Sequence, residues 1–306
     1  MSRKKAFART TQDKVFDAFV IGICLLILLI CVYPMYYTII CSVSNPYDVA
    51  MGNVGLIPVK FTWESYRQVF ANDDIWRGYL NTIIYTVLGT LYNLLLTIPL
   101  AYALSKKELY GRTFFSWYFL FCMYFSGGMV PSYLVTKQLG LVNSPWVMII
   151  GAGVSVYNMI VTRVYFQSSI PESLYEAARI DGCSEFKAFF QIALPLAKPI
   201  IAVMALYYGV GHWNDYFSAM IYITDKQWQP LQLVLRRILI LNENALTSAM
   251  RPDASMEELA TAAQRAYMAT TIKYALVFIS SLPMLIAYPF VQKYFVKGVM
   301  IGSLKG

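Results

Sequence analysis

The chain has 306 residues, 58% of them hydrophobic and 14% charged, with a formal net charge of +8. A soluble domain of this size carries roughly 25% charged residues, which excludes an ordinary solvated surface. The high content of Trp, Tyr and Phe (6, 24 and 18 residues) excludes disorder.

A bilayer core takes about 20 apolar residues of helix, and six runs reach or nearly reach that length. The first, 18–44, follows the basic residues Arg3, Lys4, Lys5, Arg9 and Lys14. It is longer than the roughly 7–15-residue core of a secretory leader, and no A-x-A pattern closes it, so a retained span is expected. The others are 78–104, 113–136, 146–170, 199–222 and 274–292. Only Arg163 in the fourth run and Asp215 in the fifth are charged. The stretch 229–241 is too short to span and carries Arg236 and Arg237; it reads as an interfacial or surface helix, with a re-entrant segment as the alternative. The predicted fold is all-α: a polytopic membrane protein of six transmembrane helices with both termini cytoplasmic.

Orientation follows from Lys and Arg. With the N-terminus inside, segments 1–17, 105–112, 171–198 and 293–306 carry 14 Lys/Arg against 7 acids. The outer segments 45–77, 137–145 and 223–273 carry 10 against 9. The net charge is therefore almost wholly an inside-face charge, which argues topology and removes the nucleic-acid reading. The layout is a cytoplasmic segment 1–17, a membrane domain 18–293 that includes the inner loop 171–198 and the outer loop 223–273, and a cytoplasmic tail 294–306. Tyr and Trp gather near span ends, as in an interfacial belt.

The chemistry of catalysis is sparse. Of Cys24, Cys31, Cys41, Cys122 and Cys183, four lie in apolar runs and no CxxC pair exists, so they read as small hydrophobes. The single His212 builds no zinc site with them. There is no phosphate-binding G-x-x-x-x-G-K-[ST] loop, so no ATP site is expected in this chain. A polytopic enzyme needs His, Asp or Ser groups converging at one depth, and an ion-driven transporter needs ionisable residues on several spans. Neither pattern is present.

The inner loop 171–198 is the best place for a mechanism. Ser169-Ile170-Pro171-Glu172 fits a capping box, and a helix is predicted from about Ile170 to Ile180. Asp181-Gly182 stops it, with Gly182 in the left-handed conformation. Ser184 caps a second short helix, and Pro195 and Pro199 mark the start of the fifth span. Leu174, Ala177 and Ala178 are expected on one face of the first helix; Phe186, Phe189 and Phe190 are expected on one face of the second. On spacing alone, this elbow either packs on its own bundle or docks on a partner.

The run Glu176-Ala177-Ala178-Arg179-Ile180-Asp181-Gly182, then Ile192-Ala193-Leu194-Pro195, resembles the EAA loop of the membrane permeases of binding-protein-dependent ABC importers. Phe125 to Pro131, Leu139 to Asn143, Trp213-Asn214-Asp215 with Ala219, and the ending from Tyr294 to Gly306 resemble the carbohydrate branch. Within that branch they point to maltose-type permeases and the subset linked to oligosaccharide, aldouronate and multiple-sugar uptake. The resemblance implies a type I ABC importer permease fold in a bacterial plasma membrane. It implies a second homologous permease subunit, two ATPase subunits that carry ATP and Mg, an external solute-binding protein, and a sugar of the oligosaccharide class, with peptide or another solute as the alternative. The chain itself would bind no cofactor and catalyse nothing. Glu176, Ala177, Ala178, Asp181 and Gly182 would form the coupling helix seated on the ATPase, with Glu176 and Asp181 offering charge-assisted contacts. The tail 295–306 resembles tails that touch the ATPase.

For the substrate path the candidates are Gly127, Gly128, Trp213, Asn214 and Asp215. The glycines, with Pro131, interrupt the third span, either as a packing kink or as a cavity lining. Asp215 is an intramembrane carboxylate that suits sugar hydroxyls or a partner subunit. Arg163 reads as a snorkelling side chain.

Overall fold

The computed structural model describes residues 10–238, 240 and 256–303, the side chains of 258, 259, 290, 291 and 293–303 excepted. Arg3, Lys4, Lys5 and Arg9, much of the outer loop between 239 and 255, and the tail's side chains lie outside the described residues. In chain order the helices are α1 (Thr11–Ser42), α2 (Pro46–Ala50), α3 (Glu64–Phe70), α4 (Asp73–Ser105), α5 (Arg112–Tyr124), α6 (Met129–Gln138), α7 (Trp146–Ile150) and α8 (Val156–Ser169). Then come α9 (Glu172–Ile180), α10 (Glu185–Leu196, with a π-turn over Phe189–Ala193), α11 (Lys198–Asn214), α12 (Phe217–Tyr222), α13 (231–238) and α14 (Met256–Ser303). No strand occurs among the described residues. The chain divides into one unit of residues 1–71 with 239–279 and a second of 72–238 with 280–306.

In the first unit α1 starts at a capping box in which Thr10 and Asp13 bond each other's backbone N–H. Its apolar side chains from Val15 to Ile30 are exposed, as a helix facing acyl chains or another subunit must be. Packing begins only at its end, where Ile40 and Cys41 meet Val49, Val54, Val59 and Tyr274. Ser44 fixes that corner: its hydroxyl donates to the Ile40 carbonyl at 2.7 Å and accepts the Val59 N–H at 3.2 Å.

The second unit is organised around α4, against which α7, α8 and α11 pack. Here the expected spans are not all straight. α5 and α6 meet at 112°, and α10 and α11 meet at 77°. The run 146–170 is split at 151–155 between α7 and α8, and the fifth run breaks again at Asp215-Tyr216. Among the described residues three helices are long and apolar enough to cross a membrane, or up to five if each bent pair is one span.

The split at 151–155 and the segment 227–231 free backbone groups that a bilayer cannot solvate, and α4 supplies partners for them. Asn93, only 1% exposed, donates through Nδ2 to the carbonyls of Ala152 and, at 2.8 Å, Gly153. Its Oδ1 accepts from His212 Nε2 at 2.7 Å. Thr97 pairs with the Tyr208 hydroxyl at 2.7 Å, and that hydroxyl accepts the Ser155 N–H at 3.1 Å. Nearer the start of α4, Asn81 Nδ2 donates to the carbonyls of Gln227 (2.8 Å) and Gln229 (3.0 Å), and Tyr85 donates to Trp228 at 2.9 Å. Thr82 Oγ1 accepts the Leu231 N–H at 2.8 Å. As a result α13 is buried through Leu231, Val234 and Leu235. This corrects the expectation of a surface helix over 229–241 for its described part. The apolar residues there outweigh the two arginines, and Arg237 is neutralised by Asp74 at 2.6 Å.

Asn93→Leu would strand the two carbonyls and the His212 ring together. The expected loss is about 1–3 kcal/mol for an unpaired buried group, read as a lower thermal midpoint of the purified protein. Gly89→Val should lower the midpoint at the same place by a different route, because a Cβ there would lie 2.5 Å from the His212 ring.

Candidate functional site: the elbow and the broken spans

The elbow begins at Glu172, two residues later than predicted. Ile170 precedes a proline, which disfavours the helical region, and it is extended at φ −110° and ψ 114°. Ser169 therefore ends α8, Pro171 becomes the cap residue, and the expected capping box with Glu172 does not form. The far end matches the reading: Gly182 has φ +72°. Its N–H bonds the Arg179 carbonyl at 3.0 Å, and the Cys183 N–H bonds the Ala178 carbonyl at 2.8 Å, a Schellman closure that needs a left-handed residue. Ser184 then caps α10 by accepting the Lys187 N–H at 3.3 Å.

The elbow's charges divide into two sets. Arg179 bridges Glu108 at 3.0 Å and Glu185 at 3.0 Å, and Lys107 holds Glu172 at 2.8 Å. Lys106 lies 3.9 Å from Glu185 and sits 3.0 Å from the centre of the Tyr175 ring. The hydrogen bond from Arg179 holds the Glu108 carboxyl below its usual range, and the bond to Glu172 raises Lys107. Burial pushes the Lys106 ammonium down, opposed by Glu185, and pushes the Tyr175 hydroxyl up to about 12. The loop after α4 thus clamps the elbow to the end of the bundle. Glu176 and Asp181 belong to the other set: both are exposed, with no ion pair among the described residues.

The apolar faces also differ from expectation. Ala178 is 8% exposed and packs inward, whereas Leu174, Ala177 and Ile180 face out. Successive residues lie 100° apart on a helix, so neighbours Ala177 and Ala178 fall on opposite sides of the burial boundary. Phe189 is buried against Tyr102 at 5.0 Å between ring centres, while Phe186 is 75% exposed. A cleft of about 210 Å³ runs between the elbow and the loop after α4, lined by Lys107, Glu108, Glu172, Glu176 and Arg179.

Of the path candidates, Gly127 and Gly128 sit in the break between α5 and α6, where Gly128 has φ +86° and ψ 178°, a conformation open to glycine. Both are exposed. Trp213 is 4% exposed, donates to the Ser280 carbonyl at 2.9 Å and meets Tyr79 edge-on at 5.7 Å. Its ring is committed to packing. The Asp215 carboxylate accepts the Ser218 N–H at 3.0 Å at the start of α12, a helix-capping role. Asn214 is exposed and lines a cleft of about 340 Å³ together with Gln232, Val210, Leu206 and Met284. Gln232 escaped the sequence reading because it lies in the segment taken for a surface helix.

The two ends of this unit are distinct. Segments 105–112 and 171–185 meet at the C-terminal end of α4 through the clamp. At its N-terminal end Asn143 ties its loop to the next: its N–H bonds the Tyr222 carbonyl at 2.7 Å, and its Oδ1 accepts from Thr224 and Asp225 at 3.1 and 2.8 Å.

Comparison with known proteins gives this geometry its setting. Residues 75–301 match the family described as "Binding-protein-dependent transport system inner membrane component". The chain is 38% identical over 295 residues to the polygalacturonan/rhamnogalacturonan transport system permease protein YtcP of Bacillus subtilis (strain 168), covering 96% of this chain and all of that one. It is 40% identical over 277 residues to protein LplC of the same organism, covering 90% of each. Among solved structures, a bacterial ABC transporter involved in the import of the acidic polysaccharide alginate superposes with a TM-score of 0.81 at 32% identity, over 95% of this chain and all of that one. The chain therefore belongs to the binding-protein-dependent transport family as a multi-pass inner-membrane permease component of an ABC transporter.

Proposed function

We propose that the chain forms one half of the membrane pore of a sugar importer, moving an oligosaccharide by alternating access. A second homologous permease would complete the pore, an external binding protein would deliver the sugar, and two ATPase subunits would carry ATP and Mg. The permease would catalyse nothing itself. The names of its relatives support the sugar class: polygalacturonan, rhamnogalacturonan and alginate are all polymers of sugars. The bent pairs and the split run 146–170 are each read as one span, giving six spans with both termini cytoplasmic. The meeting of 105–112 with the elbow at one end of α4 supports that layout.

The observation that carries the coupling role is the division of charge in the elbow. Glu172, Arg179 and Glu185 are used up in holding it, while Glu176, at the edge of the cleft, and Asp181 are exposed without an ion pair among the described residues, beside exposed Leu174, Ala177 and Ile180. A clamped base with an unpaired acidic and apolar outer face suits insertion into a cleft of an ATPase. For the sugar, Asn214 and Gln232 offer amides that both donate to and accept from hydroxyls.

Four outcomes test this. Glu176→Lys, or Gly182→Val at the left-handed turn, should abolish ATPase co-purification or sugar-stimulated ATP hydrolysis; full assembly and full stimulation by both variants would remove the coupling reading. Arg179→Gln should instead leave the outer face intact and raise hydrogen exchange over 172–180 several-fold. Because Glu108 titrates below its unfolded range, its clamp contributes above about pH 4.5 and is lost as pH falls through the lowered value. Protection there, corrected for the pH dependence of intrinsic exchange, should therefore stay flat from neutral pH to about pH 5 and fall only in stronger acid. Finally, the reconstituted complex with its binding protein should hydrolyse ATP faster with oligosaccharides, in a panel spanning neutral and uronate-containing chains, than with peptides.

A further inference from the structure

At the cytoplasmic-loop end of the second unit the charges of the clamp pair with one another, while Glu176 and Asp181 on the elbow have no such partner among the described residues. Glu108, Glu172 and Glu185 are all engaged by Arg179, Lys107 and Lys106. Two guanidiniums remain. Arg163 of α8 donates to the Ser116 hydroxyl at 2.9 Å, and Arg112 at the start of α5 donates through Nε to the Leu104 carbonyl at 3.2 Å. Neither has a carboxylate partner among the described residues. Both line one cleft of about 320 Å³ with Thr113, Ser116, Trp117 and Leu120. The first turn of α5 opens onto the same place, with Gly111 as a cap residue that offers no side-chain acceptor. The Arg112 N–H is taken by the Leu109 carbonyl at 3.2 Å, and the N–H groups that follow it add partial positive charge.

Two cations facing one cleft without a counter-ion repel each other, an arrangement that an incoming anion relieves. The guanidinium fork suits phosphate oxygens in particular. The depth of the cleft selects the source of that phosphate. Arg163 lies six residues before the end of α8, about 9 Å at 1.5 Å per residue, and Ser116 lies one turn inside α5. This is the depth of the interfacial layer. Trp117 and Phe114 of α5 are largely exposed, at 68% and 69%, as aromatics at a lipid boundary are.

We propose that Arg112 and Arg163 bind the phosphodiester of an anionic phospholipid of the cytoplasmic leaflet, with Thr113 as a hydroxyl partner, Ser116 orienting Arg163 while its own proton goes to the Arg112 carbonyl at 2.8 Å, and Trp117 and Leu120 against its glycerol and upper acyl chains. The proposal rests on the membrane topology above but not on the sugar or on the ATPase coupling, so it stands or falls separately from them.

The test uses the assembled complex with photoreactive phosphatidylglycerol and photoreactive phosphatidylcholine of the same acyl chains. Phosphatidylglycerol should label peptides within 112–120 and 156–169, and phosphatidylcholine should not. The double variant Arg112→Gln, Arg163→Gln should lose at least about tenfold of that labelling, the scale of two lost charge-assisted bonds. The double Lys variant should retain part of it. Inorganic phosphate should not compete at millimolar concentration; complete displacement by it would reassign the site to free phosphate and overturn the lipid. Equal labelling by the two lipids, or wild-type labelling elsewhere, would overturn it as well. So would an acidic residue of another subunit cross-linked to these arginines. If the Gln variant fails to assemble, the position of the label on the wild-type complex decides.

Discussion

A carbonyl or N–H group left without a partner in the bilayer core costs several kcal/mol, and this chain breaks its helices repeatedly at that depth. The break at 151–155 and the non-helical entry to α13 require polar partners that lipid does not supply. They are met from one helix. Asn81, Thr82 and Tyr85 serve the segment 227–231, and Asn93 serves 152–153. Thr97 holds the Tyr208 hydroxyl that serves Ser155. α4 is therefore less a wall of the bundle than the spine on which discontinuous segments are hung. Its small and polar residues face inward, while Leu80, Val87, Leu91 and Leu95 stay exposed.

The same helix ends in the clamp. Ser105 closes α4, and the next three residues, Lys106, Lys107 and Glu108, hold the elbow through Glu185, Glu172 and Arg179. Tyr102, in the last turn, contacts Phe189 and bonds Glu185 at 3.3 Å. A displacement imposed on the elbow thus acts on the end of the helix that organises the unit's breaks. Each of those surface ion pairs alone is weak, but they converge on one short segment around buried Phe189 and Ala178. This gives the proposed coupling a rigid route in place of a flexible loop.

The sequence showed some of this and concealed the rest, for definable reasons. Apolar runs, the Gly182 turn and the Ser184 cap are local signals, decided by residues within a turn of one another, and they were legible. The capping box at Ser169 was also a local pattern, but Pro171 acts on Ile170 more strongly than a hydroxyl can compensate. The stripe of α4 was visible as spacing, since Gly89, Asn93, Thr97 and Ala101 recur every four residues in an uncharged run. That pattern signals close helix packing in a membrane; a reading that asks only whether a run is apolar passes over it. The burial of α13 was not legible, because it depends on hydrogen bonds to α4 about 150 positions away in the chain.

Trp213, Asn214 and Asp215 show why adjacency in sequence is a poor guide to a site here. At 100° per residue, three consecutive helical positions sample most of the circumference, and the helix also stops beneath the third. The indole is drawn inward, where its N–H satisfies the Ser280 carbonyl. The carboxylate turns to cap the next half-helix at Ser218, so its charge is spent on the broken backbone. Only Asn214 is left facing the cleft, and it meets Gln232 there because α13 is held against α4. The polar part of this cleft, where the proposed path would meet a hydroxylated solute, is therefore assembled from two segments, and Thr82 and Asn81 hold the second in place.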